Sequence, residues 1–345
     1  MRRTHLIALV VAGIVLLAGL AVGVVAALAA ADRESALDEH REVATTLAAD
    51  IRAADDELAA AEVVLASAGD PNLPVEQIAV LSEARDAVAA SVGEGGDLLA
   101  ADPDELGTDE VRQAARALRA VGEALGDGEI SRALRAVRDA VHERVPEVAA
   151  ANVDAVNERQ LQFRSAADAL PVAEGPQIAP ALTAYLDAAR ALAASTADEL
   201  AEKAGPLFDA RMAAQAFARE LAGGVLLDFD WARLVNGYGT GGSYGGTSYW
   251  NSASGGYATI TLSDSVAELW PAPGVQALVA HEVGHAILAR SDCNVLFFRS
   301  EFADGGEEPW ATAWAIGLGH TANGSGESVY GRPREGLIAL STECR

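Results

Sequence analysis

The chain changes character near Gly205-Pro206, and that break constrains its fold more than any other feature. Residues 32–205 hold 35 acidic and 15 basic side chains but only two aromatics, Phe163 and Tyr185. Residues 206–345 hold 15 acidic and 8 basic side chains with 16 aromatics, including all five tryptophans and both cysteines. Rings supply much of the area that a compact core buries, whereas alanine supplies little. The first region must therefore gain its stability from long helices, and the second from a core of its own. The net charge of −25, with Lys203 the single lysine, argues against nucleic acid as a partner, because phosphate contacts need clustered Lys and Arg. Two cysteines are too few for a disulfide scaffold, and a 50% hydrophobic content is too high for a disordered chain.

Met1-Arg2-Arg3-Thr4-His5 precedes 26 uncharged residues, 6–31. About 20 apolar residues cross a bilayer as a helix, so residues 1–31 are expected to form a transmembrane signal anchor. The arginines would stay in the cytoplasm, making the chain a single-pass protein of the cell membrane with an extracytoplasmic bulk. A cleaved signal peptide is the alternative: Ala29-Ala30-Ala31 suits the peptidase, and the product would be secreted. The run is longer than the apolar core of a signal peptide, about 7–15 residues, which favours the anchor.

In residues 32–205, Leu37, His40, Ala44, Leu47, Ile51, Ala54, Leu58, Ala61 and Leu65 recur at alternating steps of three and four. That is a heptad seam rich in alanine, expected to build a helical bundle or coiled coil. It is equally suited to pairing between two copies of the chain. Breaks are expected at Gly69-Asp70-Pro71, Gly93-Glu94-Gly95-Gly96, Asp102-Pro103 and Gly126-Asp127-Gly128. A long helix is expected over 129–170 with Pro146 as a kink, then a linker over 171–180 and a helix over 181–203. The region carries no motif with chemistry, and a spacer or regulatory bundle with a solvated acidic surface is the plain reading.

In residues 206–345 a helix is expected over 207–221 and strands over 225–229 and 257–262. Residues 237–256 are rich in glycine and aromatics. They read either as a plain flexible loop or as a flap beside a cleft. The informative segment is 273–290. Apolar residues at 275, 278, 279, 283, 286 and 287 predict a buried helix. His281 and His285, four apart, share one face of it, where two imidazoles can grip one metal ion. Glu282 is turned about 100° from His281, beside the pair. A carboxylate there can take a proton from a water that the metal activates. Six histidines in 345 residues give roughly 0.007 chance matches to this pattern. Downstream, Gly306-Glu307-Glu308-Pro309-Trp310 opens a second helix, with Pro309 suited to its first turn.

These residues resemble the HExxH zinc metallopeptidases, the zincins, and among them the gluzincin branch, whose third ligand is a glutamate on a later helix. The resemblance covers about 206–345 and rests on two short motifs. It implies Zn2+ held by His281, His285 and Glu308, with Glu307 the less suited alternative to Glu308. Glu282 would be the general base. It implies a minimal zincin-like domain with a small sheet, the motif helix as cleft floor, and strand 258–262 as an edge that pairs with a peptide or protein substrate. The branch commonly has an aspartate where Thr312 stands, and a neutral hydroxyl is a weaker orienting partner for a ligating histidine. His320 and Tyr330 are candidates by residue type to stabilise an oxyanion. In an exported protein Cys293 and Cys344 would be bridged, a closure worth about 4 kcal/mol in the chain-entropy model.

The expectation is therefore an α+β protein in three parts: the anchor (1–31), an acidic alanine-rich helical region (32–205) and a zincin-like metallopeptidase domain (206–345). Its expected activity is extracytoplasmic, zinc-dependent hydrolysis of peptide bonds. The rival is a catalytically inactive zincin-like binding or sensory protein on a helical stalk.

Overall fold

A computed structural model of the chain is mostly helical, with 71% of residues in helices and, among the described residues, one three-stranded sheet. This corrects the α+β expectation. Alanine-rich sequence favours helix throughout the first region, and even the aromatic region devotes only three short segments to strands. The structure describes the backbone of residues 2–345 and the side chains of 17–253 and 255–345. In chain order the helices are α1 (Arg2–Leu65), α2 (Val75–Ala100), α3 (Thr108–Gly126), α4 (Glu129–Glu143), α5 (Val145–Ala151), α6 (Asn157–Ala169), α7 (Ile178–Glu202) and α8 (Phe208–Leu221). Strands β1 (Leu226–Ala232), β2 (Gly246–Asn251) and β3 (Tyr257–Ser263) follow. Then come α9 (Asp264–Leu269), α10 (Pro273–Ala286), α11 (Ser291–Phe298), α12 (Phe302–Gly305), α13 (Glu307–Gly317), α14 (Glu327–Tyr330) and α15 (Glu335–Ser341).

The chain forms two compact units. The first comprises 1–143 and 170–183, the second 144–169 and 184–345. In the first, α1 packs against α2, α3 and α4. His40, Leu47, Ala54 and Ala61 of the seam are buried, and Leu47 meets Leu118 and Val121 of α3. The break expected at Gly93-Glu94-Gly95-Gly96 is absent, and α2 runs through it. A Cβ at Gly95 would stand 3.0 Å from Ile51 Cδ1 and 3.3 Å from Val121 Cγ1. The glycine is there for close packing, which offsets its propensity cost of about 1 kcal/mol.

The transmembrane expectation is corrected as well. Among the described residues no helix is long and apolar enough to cross a membrane. The side chains of 6–16 lie outside the described residues. Residues 17–32 are exposed on α1. The single-pass cell-membrane localisation expected from residues 1–31 is corrected with it, because no described helix carries a span.

The second unit takes in α5, α6 and most of α7, so helices of the alanine-rich region share a unit with the aromatic core. The helix expected over 129–170 is divided: α4 ends at Glu143, and Pro146 sits in the first turn of α5, where its missing N–H costs nothing. The sheet order is β1-β3-β2, with β1 parallel and β2 antiparallel to β3. Ala258, Ile260 and Leu262 of β3 alternate inward and are fully buried. They join Leu227, Phe229, Val275, Val279, Val283, Trp310 and Trp314 in one core. α10 packs against β2, β3, α8 and α13. Cys293 and Cys344 form a bridge with Cα atoms 5.6 Å apart. It ties the C-terminus to the segment after the motif helix, and is compatible with an extracytoplasmic location.

Candidate metal centre

The site begins with a helix crossing. α13 meets α10 at Gly284, where a Cβ would lie 2.9 Å from Ala311 Cα. Trp310 Nε1 donates to the Gly284 carbonyl at 2.9 Å and pins the crossing. The first turn of α13 thereby reaches the two buried imidazoles of α10. Glu308 Oε2 lies 3.0 Å from His281 Nε2 and 3.4 Å from His285 Nε2. One donor atom from each of His281, His285 and Glu308 falls within 4.8 Å of the other two, a group that can hold a metal ion. Donors around a tetrahedral ion with bonds of roughly 2.0 Å sit about 3.3 Å apart, so these separations fit.

The second nitrogen of each ring also faces an oxygen. His281 Nδ1 donates to the Ser325 carbonyl at 3.0 Å. A carbonyl can only accept, so the hydrogen belongs on Nδ1 and the lone pair of Nε2 faces the metal position. His285 Nδ1 lies 3.8 Å from Glu307 Oε2, which accepts from Trp250 Nε1 of β2 at 3.0 Å. Glu308 thus joins the donor group while its neighbour Glu307 faces the far side of His285. Thr312 is fully buried, and its Oγ1 has no hydrogen-bond partner among the described residues. It packs instead under Gly326 (φ +90°), where a Cβ would fall 2.3 Å from Thr312 Oγ1 and 2.8 Å from His281 Cε1. Only glycine permits the loop to carry the Ser325 carbonyl this close.

Charge in the site is tightly coupled. Burial pushes the Glu282 carboxyl up, and the neighbouring His285 and His281 partly pull it back. Burial alone would lower His285, but the carboxylates of Glu307 and Glu308 outweigh it and raise the imidazole to about 9. Hydrogen bonds to His281 and His285 hold Glu308 well below the usual carboxylate range. Tyr330 is pushed up to about 12 by burial and then by the charge of Glu308.

The donors open into a cleft of about 510 Å³. The glycine-rich stretch is one of its walls: Tyr238 and residues 242–248 line it, and the Tyr244 hydroxyl donates to the Asn323 carbonyl at 2.6 Å. Gly246, the first residue of β2, faces Glu282, and a Cβ there would come within 2.7 Å of its Cγ and Oε1. The strand along the cleft is therefore β2. The segment expected as the edge, 258–262, lies in β3 and is the central strand, paired on both sides. Tyr330 lines the cleft and stacks on His281, with ring centroids 6.0 Å apart and planes 7° from parallel. His320 packs edge-on against Phe217 and is not among the residues lining the cleft.

Nothing in the sequence flags Ser325, because it acts through a carbonyl that every residue possesses. Glu307 and Trp250 are 57 positions apart, and their pairing is visible only in the fold. Comparison with protein-family models, curated proteins and solved structures finds no match, so the reading of the site rests on its geometry and on the motif.

Proposed function

We propose that the second unit is a zinc-dependent peptidase in which His281, His285 and Glu308 hold the metal and Glu282 is the general base. The observation that carries this reading is the convergence of two imidazole nitrogens and one carboxylate oxygen beside a further buried carboxylate, Glu282, in an open cleft. Two imidazoles and a carboxylate match the three-ligand sets of catalytic rather than structural zinc. Zinc, when bound, supplies a Lewis acid that polarises the scissile carbonyl and acidifies the attacking water. Glu282 accepts the proton of that water and delivers it to the leaving amine. Burial raises its carboxyl above the ordinary carboxylate range, the direction that makes it a better proton acceptor. The free edge of β2 offers unpaired backbone groups to an extended chain, which favours a peptide substrate. Tyr330, which lines the cleft and stacks on His281, is the candidate donor to a developing oxyanion.

The test is the metal content of the full chain, purified without chelator or a metal-affinity tag. About one zinc per chain is expected, lost in His285→Ala and in Glu308→Ala. Glu282→Gln should keep the metal and the fold while peptide hydrolysis falls by about 10²–10⁴-fold. Absence of metal after zinc is added back overturns the reading.

A further inference from the structure

We infer that Glu307, locked by Trp250, is the residue that orients His285 for the metal. The orienting function thus sits immediately before the ligand Glu308, and the Thr312 position plays no part in it. This rests on the reading of His281, His285 and Glu308 as metal ligands. Three observations carry it. Glu307 Oε2 is the carboxylate facing the nitrogen of His285 that points away from the donor group. The same oxygen accepts from the indole N–H of Trp250 at 3.0 Å, so the carboxylate is held from the β2 side as well as from α13. Thr312 Oγ1, one turn further along α13, is buried without a partner and cannot act on either imidazole. A carboxylate charge 3.8 Å from the distal nitrogen favours the hydrogen on that side, leaves the lone pair toward the metal and makes the ring a better donor. Because Trp250 belongs to the strand along the cleft, a peptide bound to β2 would press on the same chain of contacts, Trp250 to Glu307 to His285.

The experiment measures zinc affinity by competition with a chromogenic chelator. Visible absorption of the cobalt-substituted protein and the melting temperature of the metal-free protein are measured alongside. Glu307→Ala should weaken zinc binding by about 10–100-fold and alter the cobalt spectrum, in a metal-free protein that still unfolds cooperatively. Glu307→Gln, which keeps a neutral acceptor, should recover part of that loss. Trp250→Phe should weaken binding by less, and adding it to Glu307→Ala should bring no further loss. Thr312→Val should leave zinc affinity and the cobalt spectrum as they were. Zinc affinity within twofold of the parent in Glu307→Ala, with an unchanged cobalt spectrum, overturns the inference while the metal site stands. A parent protein that binds neither zinc nor cobalt overturns the functional reading itself.

Discussion

At the scale of single residues, the site works through atoms that are held on both sides. His281 has the Ser325 carbonyl 3.0 Å from Nδ1 and Glu308 at Nε2; His285 has Glu307 3.8 Å from Nδ1 and Glu308 at Nε2. In the metal-free protein these contacts become a pH dependence. His285 is raised to about 9 in the folded chain from an ordinary 6.5. Its contribution to stability is therefore complete below about pH 6.5 and is lost as pH rises through about 9. Glu308 is depressed, so its contribution is complete above about pH 4.5 and is lost as the solution is acidified. The melting temperature of the metal-free protein should thus peak between about pH 4.5 and 6.5 and fall toward pH 9. Bound zinc requires a neutral His285, so the increment in melting temperature from saturating zinc should grow across that same interval. Melting curves with and without zinc at pH 6, 7.5 and 9 test this. A metal-free protein equally stable at pH 6 and pH 9 would remove His285 as the titrating group.

Among the elements, the crossing of α10 and α13 matters most. The apolar spacing on α10 is enough to predict a buried helix, and the two histidines share a face because four residues make just over one turn. What puts Glu308 opposite them is the contact at Gly284, where Ala311 occupies the space a side chain would need. Gly284→Val should therefore destabilise the protein by about 1–3 kcal/mol through overpacking, measured by urea unfolding. It should also abolish stoichiometric zinc binding, because the first turn of α13 is pushed away. Zinc affinity unchanged in this variant would mean that Glu308 reaches the site by another route. Helices and strands built on strong local patterns follow the sequence closely: α8, β1, β3, α10 and α13 all arise where the hydrophobic period and the proline and glycine breaks predict them. The failures share one cause, which is tertiary context overriding a local signal. The glycines at 93–96 read as a break but serve close packing within a continuous helix, and β3 reads as an edge but lies between β1 and β2.

On the scale of the whole molecule, the two units divide chemistry from bulk. All five tryptophans belong to the second unit, which also holds the group of His281, His285 and Glu308 that can bind a metal ion. Tryptophan fluorescence during thermal unfolding should accordingly report zinc binding directly. Free zinc at about 100 times its Kd should stabilise the transition by about 2.7 kcal/mol, and a midpoint indifferent to zinc would count against a site in the native fold. The sequence alone determined which kinds of structure were open to each region, because side-chain volume and periodicity are local properties. Alanine with few rings admits little but long helices, and His281, Glu282 and His285 declare their shared helical geometry within five positions. Only the tertiary structure decided how the helices are shared between units, that β2 forms the wall of the cleft, and that Glu307, Trp250 and Ser325 complete the site. Those outcomes depend on contacts between residues tens of positions apart, including a backbone carbonyl that no side chain advertises. They are set by how the core of the second unit closes, and no short stretch of sequence carries that information.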